Sequence, residues 1–444
     1  MKRSGLTLHN KNIVGGGTIR LSVDFVSTLA LLYLMLLGVD FGYLARMERV
    51  PNSFYSNYTP SELLSLLLLA GLFAFPKTTT KYIANNSVLL LVALSLSLTT
   101  ILATVYVYAT GLNTPFSISG RISVQIVSLL SAIAVGCAIS FILNKYPQKA
   151  RASINIGVFL AIVGVVFQFA DQGLAAISNR LYGVSGEPKG LGLFLVPFIT
   201  AVAMIKLRNV GYFVTFLFLV SILVVILTFS TTAVLSAGAS ILAILLFNKG
   251  VAVRGRIIVA SLLGLILYIF VSIQVSGLEE KLIGRLFDRA EGIGISGVTA
   301  LVSLPVVGNI VVDGNDAPAI AWLLDAPIVS LFGTGYGFDA IFADYYVGRI
   351  DSGFVKRGYF GYITPNMAVL ENTLRYGLIP LAALGFHVLT KFRRSLATSV
   401  STDLLFLRYY FFSSFVISLL VMDIGISLIT SYIVISSSAG SRKT

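Results

Sequence analysis

Apolar runs that are long enough to cross a lipid bilayer recur along most of the chain and restrict it to a membrane-embedded fold. A helix needs about 20 apolar residues to cross the hydrocarbon core. On that rule the sequence predicts twelve spans, at residues 22–44, 61–76, 87–110, 121–144, 152–170, 190–206, 210–229, 231–248, 256–275, 376–390, 404–421 and 424–438. Hydrophobic residues make up 56% of the chain and charged residues 11%, so the sequence predicts an all-α polytopic membrane protein.

The distribution of lysine and arginine predicts the orientation. The net charge is +13, but the basic residues are scattered in short loops, which argues against a nucleic-acid partner. The termini and alternate loops on one side of the predicted spans carry 19 Lys and Arg residues. The short loops on the other side carry only Arg46, Arg49, Arg121, Arg180 and Lys189. Because cytoplasmic loops are enriched in these residues, both termini are expected in the cytoplasm.

Segment 276–376 is the one long polar stretch, and it contains 11 of the 19 Asp and Glu residues against seven Lys and Arg. It lies between predicted spans nine and ten and is therefore expected outside the cytoplasm, as a large loop with interfacial helices. The chain is thus divided into residues 1–275 with spans one to nine, the loop 276–376, and residues 377–444 with spans ten to twelve. All three parts are predicted to belong to a single membrane domain.

The start of this segment, residues 279–291, is predicted to form a helix in the membrane interface. Lys281, Arg285 and Arg289 recur at every fourth position, which places a cationic stripe beside an apolar one. Guanidinium groups there are suited to bind a phosphate by paired hydrogen bonds. The alternative is an interfacial helix that only directs its arginines toward anionic lipid.

Two glycine-containing turns are further candidates. The outer loop 171–189 brings Arg180 and Glu187 close to the membrane surface, although an ordinary helix connection would look the same. Residues 333–337, GTGYG, lack the strand–turn–helix unit of a nucleotide loop and are predicted to form a tight turn that a sugar or phosphate can approach. The carboxylates, tyrosines and cations that follow, at 339–362, are typical of glycan-binding surfaces and equally of a solvated loop.

Histidine and thiolate chemistry is not expected on the outer surface. His9 lies in the cytoplasmic tail and His387 near the cytoplasmic end of span ten, and the lone Cys137 lies in an apolar run. No metal site and no cofactor are therefore predicted. Residues 313–316, DGND, are too short and incomplete for a calcium loop.

Four runs of residues together resemble the O-antigen polymerase and ligase superfamily, glycosyltransferases of the C class that act on undecaprenyl-pyrophosphate-linked sugars. The runs are Arg180 to Pro188, similar to the family's Arg, Gly, Asn/Glu-Pro pattern; Leu227 to Ala233, similar to its small polar turn; Leu331 to Gly337, similar to its Gly-x-Gly-x-Gly element; and Asn366 with Tyr376 to Ile379, similar to its Asn followed by Tyr-Gly-Leu-Ile. They follow the family's order over residues 180–380.

Two departures refine the resemblance. Pro365 stands where ligases carry a histidine, which favours a polymerase over a ligase. Thr231 stands where the small polar turn usually carries an arginine, which leaves any role of that turn in doubt.

The resemblance implies an enzyme that polymerises lipid-linked oligosaccharide repeat units on the periplasmic face of the bacterial inner membrane, beside membrane lipid and with a chain-length regulator as a family partner. Its leaving pyrophosphate needs cations, for which the candidates are Arg180, Arg285, Arg289, Lys356 and Arg357. The candidates for the general base are Glu187, Asp339 and Asp351. The candidate glycan contacts are Tyr336, Tyr345, Tyr346 and Asn366.

Three other functions stay open from the residues alone. An O-antigen ligase would share the superfamily's features. A flippase or secondary transporter of lipid-linked glycan would also have many spans, but it does not need a loop of this length. A proton-coupled transporter is expected to carry ionisable groups at mid-depth in the membrane, where only Asp24 is a candidate. A non-catalytic membrane scaffold would leave the cationic stripe and the ordered runs unexplained.

Overall fold

A computed structural model gives the fold of the chain. It describes residues 16–39, 59–74, 87–111, 118–178, 181–185, 188–205, 211–228, 230–247, 299–304, 308–313, 316–336, 367–396, 401–421 and 428–438. Within these ranges the chain is nearly all helical and contains one two-stranded sheet.

The described elements are numbered in chain order. The first half of the chain contains α1 (Gly16–Leu36), α2 (Pro60–Ala74), α3 (Ser87–Thr110), α4 (Ile118–Lys145), α5 (Pro147–Gln172), α6 (Ala175–Ser178), a 3-10 turn (Gly183–Ser185), α7 (Pro188–Ala203), α8 (Tyr212–Leu227) and α9 (Thr231–Phe247). The second half contains β1 (Thr299–Leu304), β2 (Gly308–Asp313), α10 (Ala317–Asp325), α11 (Pro327–Phe332), α12 (Ala368–Tyr376), α13 (Leu378–Leu396), α14 (Thr402–Leu420) and α15 (Leu428–Ser438).

Helices of the structure overlap every predicted span except 256–275, which lies outside the described residues. Among the described helices, four are long and apolar enough to cross a membrane, namely Val88–Thr110, Ile122–Lys145, Pro147–Gln172 and Thr402–Leu420. Shorter apolar helices of 10–17 residues coincide with further predicted spans. The apolar helices indicate a membrane protein, while the count of twelve spans stays a prediction.

Helix α14 lies at the centre of the bundle. Every residue from Phe406 to Ser418 is buried, and the helix packs against α5, α7, α9 and α15. Phe392 of α13 stacks on Phe412 with 3.9 Å between the ring centroids. Lipid tails are as apolar as these side chains, so van der Waals packing rather than removal from water holds such helices together.

The two ends of α14 meet different parts of the chain. At its first turn, Asp403 pairs with Arg151 in the second turn of α5, with 2.7 Å between the carboxylate oxygen and Nη1. At its other end, the carbonyl of Val421 accepts a hydrogen bond of 3.1 Å from the N–H of Ala368, the first residue of α12. The start of α5 and the start of α12 therefore lie at opposite ends of the bundle.

A β-hairpin lies within the predicted outer loop, where an all-α fold was predicted. Strands β1 and β2 are antiparallel, with Thr299 opposite Asp313 and Leu304 opposite Gly308. Strand β1 contains Thr299 and Val302, strand β2 contains Ile310, Val311 and Val312, and these β-branched residues favour extended backbone. The sequence prediction missed the pair because each strand of six residues is too short to stand out beside the long apolar runs.

Three short helices follow the hairpin and form a small core of their own. Ala319 and Trp322 of α10 pack with Leu374 of α12. The side chain of Asp316 ties the same two helices, because its Oδ1 accepts a hydrogen bond of 3.2 Å from the N–H of Met367. This small core fixes α12 above the end of α14 and thereby positions the glycine-rich turn described next.

Candidate functional site

Of the predicted site residues, Tyr336 lies within the described residues, so the structure shows its surroundings. The remaining candidates lie outside the described residues: Arg180, Glu187, Arg285, Arg289, Asp339, Tyr345, Tyr346, Asp351, Lys356, Arg357 and Asn366. The structure does describe the elements that flank several of them. Those elements are the turn 181–185, between Arg180 and Glu187, and the turn 333–336, which precedes Asp339.

The turn 333–336 docks on the end of α12, forty residues later in the chain. The N–H and the hydroxyl of Thr334 both donate to the carbonyl of Leu374, at 2.7 and 3.0 Å. The N–H of Gly335 donates to the carbonyl of Arg375 at 3.0 Å. Leu374 and Arg375 directly precede Tyr376, and a Cβ on Gly333 would lie 2.6 Å from the nitrogen of Gly377, so two of the runs that resemble the polymerase and ligase superfamily, 331–337 and 376–379, are in close backbone contact.

Glycine is required on both sides of this contact. Gly333, Gly335 and Gly377 have positive φ angles of 75°, 72° and 80°, a conformation that other residues rarely adopt. A Cβ on Gly333 would lie 2.6 Å from the carbonyl oxygen of Arg375, and one on Gly377 would overlap the backbone of Phe332. The close approach of the two backbone segments explains the spacing of the glycines.

Tyr336 closes the turn against α3. Its N–H donates to the hydroxyl of Thr100 at 2.6 Å, and its side chain is only 6% exposed. The buried phenol hydroxyl has no hydrogen-bond partner among the described residues. Burial raises the pKa of this hydroxyl, Tyr376 adds to the rise and Arg375 opposes it, so the group stays a neutral donor at physiological pH.

An ion pair lies beside this hydroxyl on α12. The guanidinium Nη2 of Arg375 is 2.6 Å from the carboxylate of Glu371, one turn earlier, and both side chains are partly exposed at 24% and 32%. Asn372, on the buried face, anchors the helix by donating from Nδ2 to the carbonyls of Ser418 and Leu419 in α14. Sequence reasoning did not select Glu371 or Arg375, although their spacing of four residues signals a helical ion pair.

The second turn, 181–185, is held by glutamines of α5. The Oε1 atom of Gln168 accepts hydrogen bonds from the N–H groups of Tyr182 and Gly183, at 2.9 and 3.0 Å. Gln172, one turn later, donates from Nε2 to the Tyr182 hydroxyl at 2.6 Å. The turn that separates Arg180 from Glu187 is therefore fixed by side chains that the sequence prediction had placed in span five or in the following loop.

This turn lies along the side of α5 rather than beyond its end. Gly183 has a φ of 51°, and a Cβ there would lie 3.1 Å from the side chain of Val165 and 3.3 Å from the carbonyl oxygen of Ala161. A Cβ on Gly164 would in turn lie 2.6 Å from Val184. Arg180 and Glu187 are thus attached to a turn that begins below the last turns of α5.

The other two resembling runs also meet. The N–H of Leu181 donates to the carbonyl of Leu227 at 3.4 Å, and a Cβ on Gly192 would lie 2.5 Å from the Cβ of Ala233. Ser230 accepts a hydrogen bond of 3.3 Å from the N–H of Ala233 and so begins α9. A serine cap and close glycine packing give the small polar turn a structural role that needs no arginine at Thr231.

The structure gives the position of His387 within its helix. Helix α13 continues to Leu396, so His387 lies at its middle and not near its end. Its ring is 5.6 Å from that of Tyr432 in α15, between the ring centroids. Neither Nε2 of His387 nor the hydroxyl of Tyr432 has a hydrogen-bond partner among the described residues.

No grouping of histidine, cysteine and carboxylate side chains within the described ranges is suited to hold a metal ion. The described geometry therefore offers two glycine turns, each fixed by polar contacts to a neighbouring helix, and one buried hydroxyl beside an ion pair. Comparison of the chain with protein-family models, with curated proteins and with solved structures finds no match.

Proposed function

We propose that this chain is a glycosyltransferase that polymerises undecaprenyl-pyrophosphate-linked oligosaccharide repeat units into O-antigen or a related surface polysaccharide. The reaction takes place on the periplasmic face of the bacterial inner membrane and uses no metal. The growing glycan leaves its lipid carrier and joins the non-reducing end of a second lipid-linked repeat unit. A chain-length regulator is the expected protein partner.

The observation that carries the proposal is the pairing of the four resembling runs. Run 331–337 docks on run 376–379, and run 180–188 contacts run 227–233 through Leu181 and Leu227. The two runs of each pair are distant in sequence. If their similarity to the family were accidental, we would not expect them to contact each other in the fold. Contact between them is what a shared site requires.

The arrangement of helix ends supports the orientation. Arg151 and Asp403, which meet at one end of the bundle, both belong to loops that the lysine and arginine count places in the cytoplasm. Gly38, Leu181, Leu227, Ala368 and Val421 all belong to predicted outer ends, and they contact one another or Ser185 of the outer turn. This sorting supports alternating spans with an outer segment 276–376, and the count of twelve stays part of the proposal.

The chemistry needs a base, cations and an oriented acceptor. The acceptor hydroxyl oxygen forms a bond to the anomeric carbon of the donor sugar, and a carboxylate takes the hydroxyl proton. The bond between that carbon and the pyrophosphate oxygen breaks, and the oxygen leaves with the bonding electrons. Glu187, Asp339 or Asp351 serves as the base, and Arg180, Arg285, Arg289, Lys356 and Arg357 stabilise the departing pyrophosphate.

The described residues add detail to this site. Tyr336 is buried, so in its proposed role as a glycan contact it acts as a neutral donor at the base of the site. Tyr345, Tyr346 and Asn366 keep their proposed role as glycan contacts. Gln168 and Gln172 hold the turn that carries Arg180 and Glu187.

The experiment that tests the proposal is polymerisation by the purified chain. Incubated with lipid-linked oligosaccharide, it is expected to give a ladder of products, and Arg180→Ala or Arg285→Ala is expected to abolish the long products at normal protein level in the membrane. Arg394→Ala, an exposed arginine at the end of α13, is the matched control and should leave the ladder intact. Normal ladders in both test variants would overturn the site.

A transporter of lipid-linked glycan is the second candidate, and His387 is the observation that favours it. An ionisable side chain at mid-helix, facing a buried tyrosine, is what a proton-coupled carrier would place at mid-depth. Movement of lipid-linked oligosaccharide across vesicles without polymer formation, abolished by His387→Ala, would establish this alternative. An O-antigen ligase would instead transfer finished glycan to a lipid A-core acceptor in the same assay.

A further inference from the structure

The turn between α4 and α5 places two lysines on one tyrosine ring at the edge of the apolar helices. Tyr146 alone separates α4, which ends at Lys145, from α5, which begins at Pro147. Both helices are among those long and apolar enough to cross a membrane. The turn is therefore located where the apolar stretch ends, at the level of lipid head groups.

Both lysines lie over the same ring. The Nζ atom of Lys149 is 4.8 Å from the centroid of the Tyr146 ring, and Nζ of Lys145 is 5.1 Å from it and 5.5 Å from that of Phe141. Both lysines are exposed and the tyrosine is half-buried. Two ammonium groups held on one ring repel each other, so an anion between them is favourable.

The carboxylate that pairs with α5 binds a different basic side chain. Asp403 is bound by Arg151 at 2.7 Å, and Arg151 itself lies over the ring of Phe406 at 5.3 Å. No Asp or Glu occurs between residues 139 and 153. Among the described contacts, neither lysine is within ion-pair distance of a carboxylate.

The turn is rigid enough to present both charges together. The N–H of Tyr146 donates to the carbonyl of Ile142 at 2.6 Å, and the carbonyl of Tyr146 accepts from the N–H of Ala150 at 3.1 Å. Below the turn, α5 exposes the apolar side chains of Ile156 and Phe159, along which an acyl chain can lie. Along α5 the charged turn is followed by apolar side chains, just as the charged head group of a phospholipid is followed by its acyl chains.

We propose that Lys145, Tyr146 and Lys149 form a binding site for the phosphate group of an anionic phospholipid. The two ammonium groups bind the phosphate oxygens, and the tyrosine ring lies against the glycerol and the first methylenes. This site goes beyond the proposed enzymatic function and does not depend on it. A lipid with a net negative charge is preferred over a zwitterionic one, because it offsets part of the charge of the two lysines, whereas the ammonium group of a zwitterionic lipid is repelled by them.

The test measures lipid binding to the purified full-length chain in a neutral detergent by native mass spectrometry, with phosphatidylglycerol against the phosphatidylcholine of the same chain length. A basic residue near a membrane surface contributes about 1 kcal/mol, so Lys145→Gln/Lys149→Gln is expected to weaken phosphatidylglycerol binding roughly 30-fold. Lys145→Arg/Lys149→Arg should retain it. Tyr146→Phe should also retain it, whereas Tyr146→Leu should weaken it.

The matched control is Arg393→Gln/Arg394→Gln, which removes two exposed charges from the last turn of α13. Thermal unfolding of each variant confirms that it is folded. Unchanged binding in the double lysine variant, or an equal loss in the arginine control, would overturn the site. Displacement of phosphatidylglycerol by millimolar inorganic phosphate would show a site for free phosphate and overturn its assignment to lipid.

Discussion

A buried hydroxyl without a hydrogen-bond partner costs a protein about 1–3 kcal/mol, which is why such groups are rare outside functional sites. Tyr336 carries one next to Arg375 and Tyr376, and its partner is absent from the described residues. Several serine hydroxyls among the described residues and one further tyrosine hydroxyl, that of Tyr432 against His387, share this state. The two tyrosines therefore form a natural pair for comparison.

We expect Tyr336→Phe to reduce polymer formation about 5- to 10-fold, because one neutral hydrogen bond to the substrate would be lost. Its thermal midpoint should stay the same or rise, since the hydroxyl that the variant removes bonds to none of the described residues. The measurements are product ladders with a titration of the lipid-linked substrate and thermal unfolding in detergent. Tyr432→Phe is the control with the same chemical change, and an equal loss of activity in both variants would remove Tyr336 from the site.

The glycine turn makes a second prediction at the residue scale. Gly335→Ala places a Cβ 2.5 Å from Thr100 at a φ of 72°, so we expect it to destabilise the protein by about 2 kcal/mol or more and to abolish polymer formation. Gly385→Ala, in the middle of α13, meets nothing within 4 Å and should be neutral or slightly stabilising. Chemical unfolding in detergent measures the free energy of unfolding of both variants and shows the difference. A Gly335→Ala variant as stable and active as the parent chain would show that the turn is free to move.

At the scale of elements, an ion pair joins α5 to α14. Arg151 and Asp403 are 10% and 22% exposed at their side chains, so each is largely removed from water and needs the other. We expect Arg151→Gln or Asp403→Asn to lower the free energy of unfolding by roughly 1–3 kcal/mol, the value of a hydrogen bond to a charged group. The double variant should cost less than the sum of the two, as measured by a double-mutant cycle. Additive costs would mean that the two side chains act independently.

The sequence predicts the helices of this fold better than it predicts their ends. Runs of apolar residues mark the helices because the bilayer demands them, and the structure places a helix at each predicted span that it describes. The end of α13 was wrong because Lys391, Arg393 and Arg394 were interpreted as a loop, whereas long basic side chains can extend from a helix end to water. Because the helix ends six residues later than the predicted span, His387 lies at the middle of α13.

The candidate site could be predicted only in part, for a related reason. Glycines at 333, 335 and 377 signal unusual backbone in each segment, yet nothing local shows that the segments touch each other across forty residues. The same holds for Gln168, whose role depends on where Tyr182 and Gly183 fold back. Spacing within one helix is encoded locally, whereas contacts between elements follow from the packing of the whole bundle.

At the scale of the whole molecule, the proposed enzyme depends on which side of the membrane holds segment 276–376. The net charge of +13 is unevenly distributed between the predicted sides, and the ion pair at one end of α14 and the backbone contact at the other fit that distribution. A polyprenyl-pyrophosphate donor outside the cytoplasm is consistent only with a segment on the outer side. Orientation is thus the prediction on which the other proposals about the reaction rest.

Cysteine labelling tests this orientation, because Cys137 is buried and can be replaced to give a cysteine-free parent. In intact cells we expect a membrane-impermeant maleimide to label Leu174→Cys and Met367→Cys, which are 83% and 52% exposed. Gln148→Cys and Ser401→Cys, at the other ends of α5 and α14, should be labelled only after permeabilisation, because lysine- and arginine-rich loops stay in the cytoplasm. The cysteine-free parent, treated with the same maleimide, is the control for non-specific labelling. Labelling of all four from outside would refute the alternating topology, and the reverse pattern would place segment 276–376 in the cytoplasm, where a polymerase of this kind has no substrate.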